Sequence, residues 1–133
     1  LYAVGYHWWV EPHASFALAL PPALASLVLA QLVVVALPEE AFFRGYLQTA
    51  LGDSSARRVR VLGVELALGA WVVQAALFAL VHFIVDPNPG RLAVFFPGLL
   101  FGWVRAWRGG IGAAIALHAL SNLYSEILAR SWL

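Results

Sequence analysis

Long apolar stretches broken by short polar ones set the plan of this chain. An apolar run extends from Ala14 to Leu37, interrupted early by Pro21 and Pro22. Pro38 to Gly52 reads as a helix carrying charges, with Pro38 at a kink or at the start of a new helical turn. Asp53 to Arg60 is polar and predicts a loop. Val61 to Val85 is apolar apart from Glu65, Gln74 and His82, and about 20 such residues cross a bilayer. Asp86-Pro87-Asn88-Pro89-Gly90 predicts a turn. Arg91 to Trp107 predicts a third span ended by Arg108-Gly109-Gly110, and Ile111 to Leu128 predicts a fourth. There is no internal repeat and no low-complexity linker. The expected fold is an all-α membrane protein, a polytopic helical bundle of about four transmembrane helices forming one domain over residues 1–133.

Composition supports lipid as the solvent. The chain is 62% hydrophobic and 11% charged, against about 45–50% and about 25% in soluble domains. Its mean hydropathy is +0.82. Tyr2, Tyr6, Trp8 and Trp9, beside His7, Glu11 and His13, suit a membrane–water interface. All eight cations are arginine, and the net charge is +1 with no basic stripe, which argues against a nucleic-acid-binding surface. The absence of cysteine excludes disulfides, thiol nucleophiles, cysteine zinc sites and prenylation of the chain itself. The chain opens on Leu1 and contains no methionine, so further helices are expected upstream. Arg57, Arg58, Arg60, Arg105 and Arg108 fall on one side of the predicted spans, and Arg91 and Arg130 on the other. The positive-inside rule assigns the first set to the cytoplasm.

Polar groups inside these spans are costly, roughly 2.5–3.5 kcal/mol for a central charge on insertion scales. Such groups are kept for packing or for chemistry. In Glu39-Glu40-Ala41-Phe42-Phe43-Arg44, Glu40 and Arg44 are spaced to meet on one helix face. That pairing leaves Glu39 available as a general base; the alternative is a solvated ion pair at a helix end. Phe78 and His82 share a face of the second span, where His82 is either a packing residue or a catalyst. His118 and Asn122 point one way and can both donate to a developing oxyanion, or can clamp two helices together. Gly98 and Gly102 form a GxxxG-like pair suited to close helix packing. Taken together, three helices offer a base, two imidazoles and a carboxamide, the types needed to hydrolyse an amide.

The order Glu-Glu-x-x-x-Arg, Phe-x-x-x-His, His-x-x-x-Asn resembles the CPBP (Abi) family, which contains CAAX prenyl endopeptidases and bacteriocin-processing or self-immunity proteins. The match covers Glu39, Glu40 and Arg44, then Phe78 and His82, then His118 and Asn122. Short loops and the Arg-rich glycine turn look like bacterial members, including the myxosortase-type branch. The resemblance implies an intramembrane endopeptidase of the bacterial cytoplasmic membrane, acting on membrane-associated proteins or lipidated peptides. Glu39 would activate water with help from His82. His118 and Asn122 would stabilise the oxyanion, and Glu40 and Arg44 would support Glu39, so Glu40→Gln is expected to be milder than Glu39→Gln. The resemblance favours a mechanism without a metal or other cofactor, with zinc held by the histidines and a glutamate as the alternative. A non-catalytic immunity or scaffold protein of the same fold is the rival reading. One conflict stands. At about 1.5 Å per residue from the cytoplasmic loops, His118 lies about 12 Å deep, Glu39 about 20 Å and His82 about 31 Å.

Overall fold

The computed structural model describes residues 15–132, so the aromatic stretch expected at an interface lies outside the described residues. The described residues form helix α1 (Leu24–Ser54), a hairpin of β1 (Arg58–Val61) and β2 (Val64–Ala67), helix α2 (Leu68–Val85), a 3-10 turn (Pro89–Val94), helix α3 (Phe95–Arg108) and helix α4 (Gly112–Ser131).

Helix α1 starts later than the apolar pattern predicts. Proline lacks a backbone donor and biases the residue before it towards extended backbone, so Pro21 and Pro22 hold the preceding segment out of helix. Ala23 turns the corner with φ 54°. The segment before it pairs with the far end of the chain: Ala17 N–H donates to the Ser131 carbonyl at 2.8 Å, and Ala19 N–H to Ser131 Oγ at 3.0 Å. From Leu24 the helix continues through Pro38. Proline at that position removes one rung of the i→i−4 ladder, and the helix widens to π geometry over Gln31–Ala36 and again over Ala41–Leu47.

Two expectations change at the next element. The helix runs to Ser54, and the loop predicted to reach Arg60 gives way to a hairpin that takes Val61 to Ala67 out of the second span. Alternation explains it: Val59 and Val61 interleave with Arg58 and Arg60, and Val64 and Leu66 flank Glu65. Leu62 and Gly63 both have positive φ, 48° and 82°, as a two-residue hairpin turn requires. Arg60 lies opposite Glu65 across the strands, and Trp103 Nε1–H donates to the Val61 carbonyl at 3.0 Å, tying the hairpin to α3.

The helices pack over small residues. Ala36, Ala70, Ala75, Ala79, Ala114 and Ala119 are buried together with Phe43, Phe78 and Phe101. The glycine pair of α3 sits at the closest approach, as predicted. A Cβ on Gly98 would stand 3.3 Å from the Ala75 backbone, and one on Gly102 only 2.6 Å from Gln74 Nε2. Large apolar residues face outward instead, with Val34, Ile84, Val85 and Phe96 each about 70–80% exposed. Polar residues go inward, with Glu40, Arg44, Gln48, Gln74 and His118 all buried. This inversion suits a lipid surround. Length and apolarity mark α1 and α2 as able to cross a membrane, where the pattern predicted about four spans. Helix α3 has 14 residues, and α4 carries Glu126 and Arg130.

Candidate active site

The site grows from one line along α1. Ala36, Glu40, Arg44 and Gln48, each four residues from the last, are all buried. Arg44 Nη1 donates to Glu40 Oε1 at 2.8 Å, and neither side chain is exposed at all. The solvated helix-end reading of this pair is therefore replaced by a sealed ion pair. Removing two charges from water costs several kcal/mol per ion unless further contacts compensate. Compensation is visible. Arg44 Nη2 donates to the Gly98 carbonyl at 3.2 Å, and the guanidinium lies 4.3 Å from the Phe78 ring centre and 5.2 Å from that of Phe101.

His118 on α4 reaches the same carboxylate, its Nδ1 lying 2.8 Å from Glu40 Oε1. Its ring stacks on Phe101 with centres 5.0 Å apart and meets the edge of Phe78 at 5.8 Å. The support expected from Glu40 thus goes to His118 directly. On α2, His82 Nδ1 lies 2.9 Å from the Phe78 carbonyl. A carbonyl or carboxylate oxygen can only accept, so both Nδ1 atoms carry hydrogens and both rings present Nε2 elsewhere. Both present it to Glu39. Its Oε2 lies 3.8 Å from His118 Nε2 and 4.0 Å from His82 Nε2. The Glu39 side chain is about a third exposed, yet Oε2 itself is buried and accepts no hydrogen bond.

An open cleft of about 620 Å³ adjoins this group, lined by Phe78, His82, Phe101, His118 and Asn122 with Arg91 at its edge. Glu39 is not among the lining residues and approaches the two imidazoles from beside the cleft. Asn122 Nδ2 donates to Gln31 Oε1 on α1 at 2.8 Å. The structure therefore brings Glu39, Glu40, Arg44, Phe78, His82 and His118 into one contact network, and places Asn122 on the wall of the same cleft.

The conflict over depth resolves. Starting α2 at Leu68 brings His82 to about 21 Å from the helix start, close to the roughly 22 Å that separates Glu39 from Ser54. His118 catches up because α4 begins beside the middle of α1. The position a Gly45 Cβ would take is 3.7 Å from Ile111 Cγ2.

Sequence reasoning missed Gln31, Gln48, Gln74 and Phe101. Gln48 Nε2 donates to the Gly102 carbonyl at 3.1 Å and Gln74 Nε2 to that of Gly98 at 3.1 Å, so the glycine pair accepts buried amides as well as allowing close approach. The available signal was a glutamine inside each of the first two apolar runs, Gln31 and Gln74, and Gln48 one helical turn beyond Arg44. As to metals, among the described residues no three or more His, Asp or Glu side chains are arranged to hold an ion. With both Nδ1 atoms engaged, the two Nε2 atoms and Glu39 are the groups left to meet an ion, and a carboxamide such as that of Asn122 is a poor zinc ligand.

An apolar exterior around buried acid, imidazole and amide groups defines a helical membrane protein with a polar site in its interior. The chain matches the family model for Type II CAAX prenyl endopeptidase Rce1-like proteins over residues 21–124, and it belongs to that family. Glu39 to Arg44, Phe78 to His82 and His118 to Asn122 all fall inside the matched region. Membership indicates CAAX intramembrane protease activity in general, an integral membrane protein and peptide substrates. Neither the curated proteins nor the solved structures yield a match to the chain.

Proposed function

We propose that the chain hydrolyses peptide bonds of membrane-associated proteins or lipidated peptides with a water molecule activated by Glu39. The observation that carries this reading is the convergence of His82 Nε2 and His118 Nε2 on Glu39 Oε2, at 4.0 Å and 3.8 Å. Those separations are too long for direct hydrogen bonds and suit a water that gives its two hydrogens to Glu39 Oε2 and His82 Nε2. Glu39 takes a proton from that water while its oxygen attacks the scissile carbonyl carbon, and His82 holds the water in line. The carbonyl oxygen becomes an oxyanion, met by Asn122 Nδ2–H and His118. Glu40 holds His118 Nδ1–H, so donation from Nε2 needs the imidazolium form, whose charge faces the Glu40 carboxylate. Glu39 then returns its proton to the amide nitrogen as the C–N bond breaks, leaving a carboxylic acid and an amine, and the acid's proton passes to the amine to give carboxylate and ammonium. In this reading α3 and α4 lie in the bacterial cytoplasmic membrane beside α1 and α2.

The test uses the purified protein in lipid vesicles with a prenylated CAAX-type reporter peptide. Glu39→Gln is expected to abolish cleavage while the unfolding temperature stays put, and wild-type activity is expected to survive strong chelation. Near wild-type turnover in Glu39→Gln would make the glutamate mechanism untenable. Loss on chelation with recovery on added Zn²⁺ replaces it with the zinc form, and a folded wild type that cleaves no peptide supports the non-catalytic reading.

A further inference from the structure

Gln31 lies on α1, two turns before the catalytic glutamate, at the first position of a π-helical stretch over Gln31–Ala36. Apart from Ser26 it is the sole polar side chain between Leu24 and Leu37. An amide placed in such a run needs a partner, and Gln31 Oε1 finds one in Asn122 Nδ2 at 2.8 Å. π-helical stretches occur often at functional sites, and this one places the Gln31 oxygen against a cleft residue.

We propose that Gln31 is a positioning residue that sets the orientation of the Asn122 carboxamide for oxyanion binding. The inference rests on the reading of Asn122 as an oxyanion donor. A primary amide has two N–H groups fixed in one plane. Holding one of them on Gln31 Oε1 fixes the direction of the other, on a side chain that lines the cleft. In this pairing Asn122 presents its nitrogen, and Gln31 its oxygen, to the shared bond. With Nδ2 committed to Gln31, the amide cannot turn its own oxygen towards the place where negative charge develops. A donor fixed before the reaction costs no reorganisation when the oxyanion forms. A simple clamp between α1 and α4 would use the same bond, but it would affect stability and not the chemical step.

A double-mutant cycle separates the two. Asn122→Ala is expected to lower kcat by about 10²–10³, and Gln31→Leu by on the order of tenfold, with KM little changed in either. The double variant should be no slower than Asn122→Ala alone, since Gln31 acts through the group already removed. Should Gln31→Leu not fold, Gln31→Asn, one methylene shorter, enters the same cycle with the same expectation. Wild-type kcat in Asn122→Ala would overturn the oxyanion reading on which the inference rests. A slowed Asn122→Ala beside an unaffected Gln31 variant, or losses that multiply in the double variant, would overturn the role of Gln31 alone.

Discussion

Glu39 and Glu40 are adjacent in the chain, yet their carboxylates occupy different surroundings. Glu40 is fully buried and bonded to both Arg44 and His118. Glu39 is partly exposed, and its inner oxygen has two imidazole nitrogens nearby without a hydrogen bond to either. Under the proposed mechanism the contrast means that the more buried carboxylate is not the reactive one. The carboxylate that gives one oxygen to both Arg44 and His118 is sealed into the helix packing, and in the same mechanism the one held short of its partners has room for a reactant.

The comparison can be broken first at Arg44. Arg44→Ala leaves Glu40 buried without its counter-charge, an error that costs about 3–5 kcal/mol in such pairs. Unfolding of the purified variant in detergent should show that loss, and Glu40→Gln should move the same way. The sequence alone predicts a milder loss of proteolysis for Glu40→Gln than for Glu39→Gln; the complete burial of Glu40 adds an expected loss of stability. An Arg44→Ala protein as stable as wild type would show that the sealed half does not hold the bundle together.

A smaller effect tests the wall behind that half. Gly102→Ala places a methyl group 2.6 Å from Gln74 Nε2 and 2.9 Å from Gln48 Oε1. Overpacking of this kind costs typically about 1–3 kcal/mol. Nothing lies within 4 Å of the corresponding position at Gly112, so Gly112→Ala serves as the control in the same unfolding assay. The smallest effect is expected far from both carboxylates. Leu62 holds φ 48°, a left-handed conformation that costs a residue with a Cβ roughly 1–2 kcal/mol and that asparagine tolerates. Leu62→Asn should therefore raise stability by about 1 kcal/mol or less, with proteolysis unchanged.

Much of the site was legible because charges in apolar runs are few and their spacing is informative. The four-residue step from Glu40 to Arg44 foretells their pairing, and the glycines of α3 foretell close packing. The burial of the pair was not legible, since a charged helix segment followed by a polar stretch reads equally well as a helix end in water. Phe101 was hidden among other aromatics, because stacking on His118 depends on how α3 meets α4 and not on any local spacing. The hairpin was missed for a different reason. Val61, Val64 and Leu66 continue an apolar run into α2, and the short alternation is lost in the longer hydrophobic average. That error alone produced the false depth of His82.

The π stretches of α1 also bear on the phase of the helix. In an α-helix each residue turns by about 100°, so side chains four apart step sideways by about 40° and would wander around the axis within three steps. Ala36, Glu40, Arg44 and Gln48 nevertheless all stay inside. The wider i→i+5 rings over Gln31–Ala36 and Ala41–Leu47 take more residues to complete a turn, which slows that drift. Helix α1 thus works as a vernier, its pitch adjusted until a four-residue repeat runs nearly straight, and the ion pair and the amide below it stay in register with the glycine carbonyls of α3.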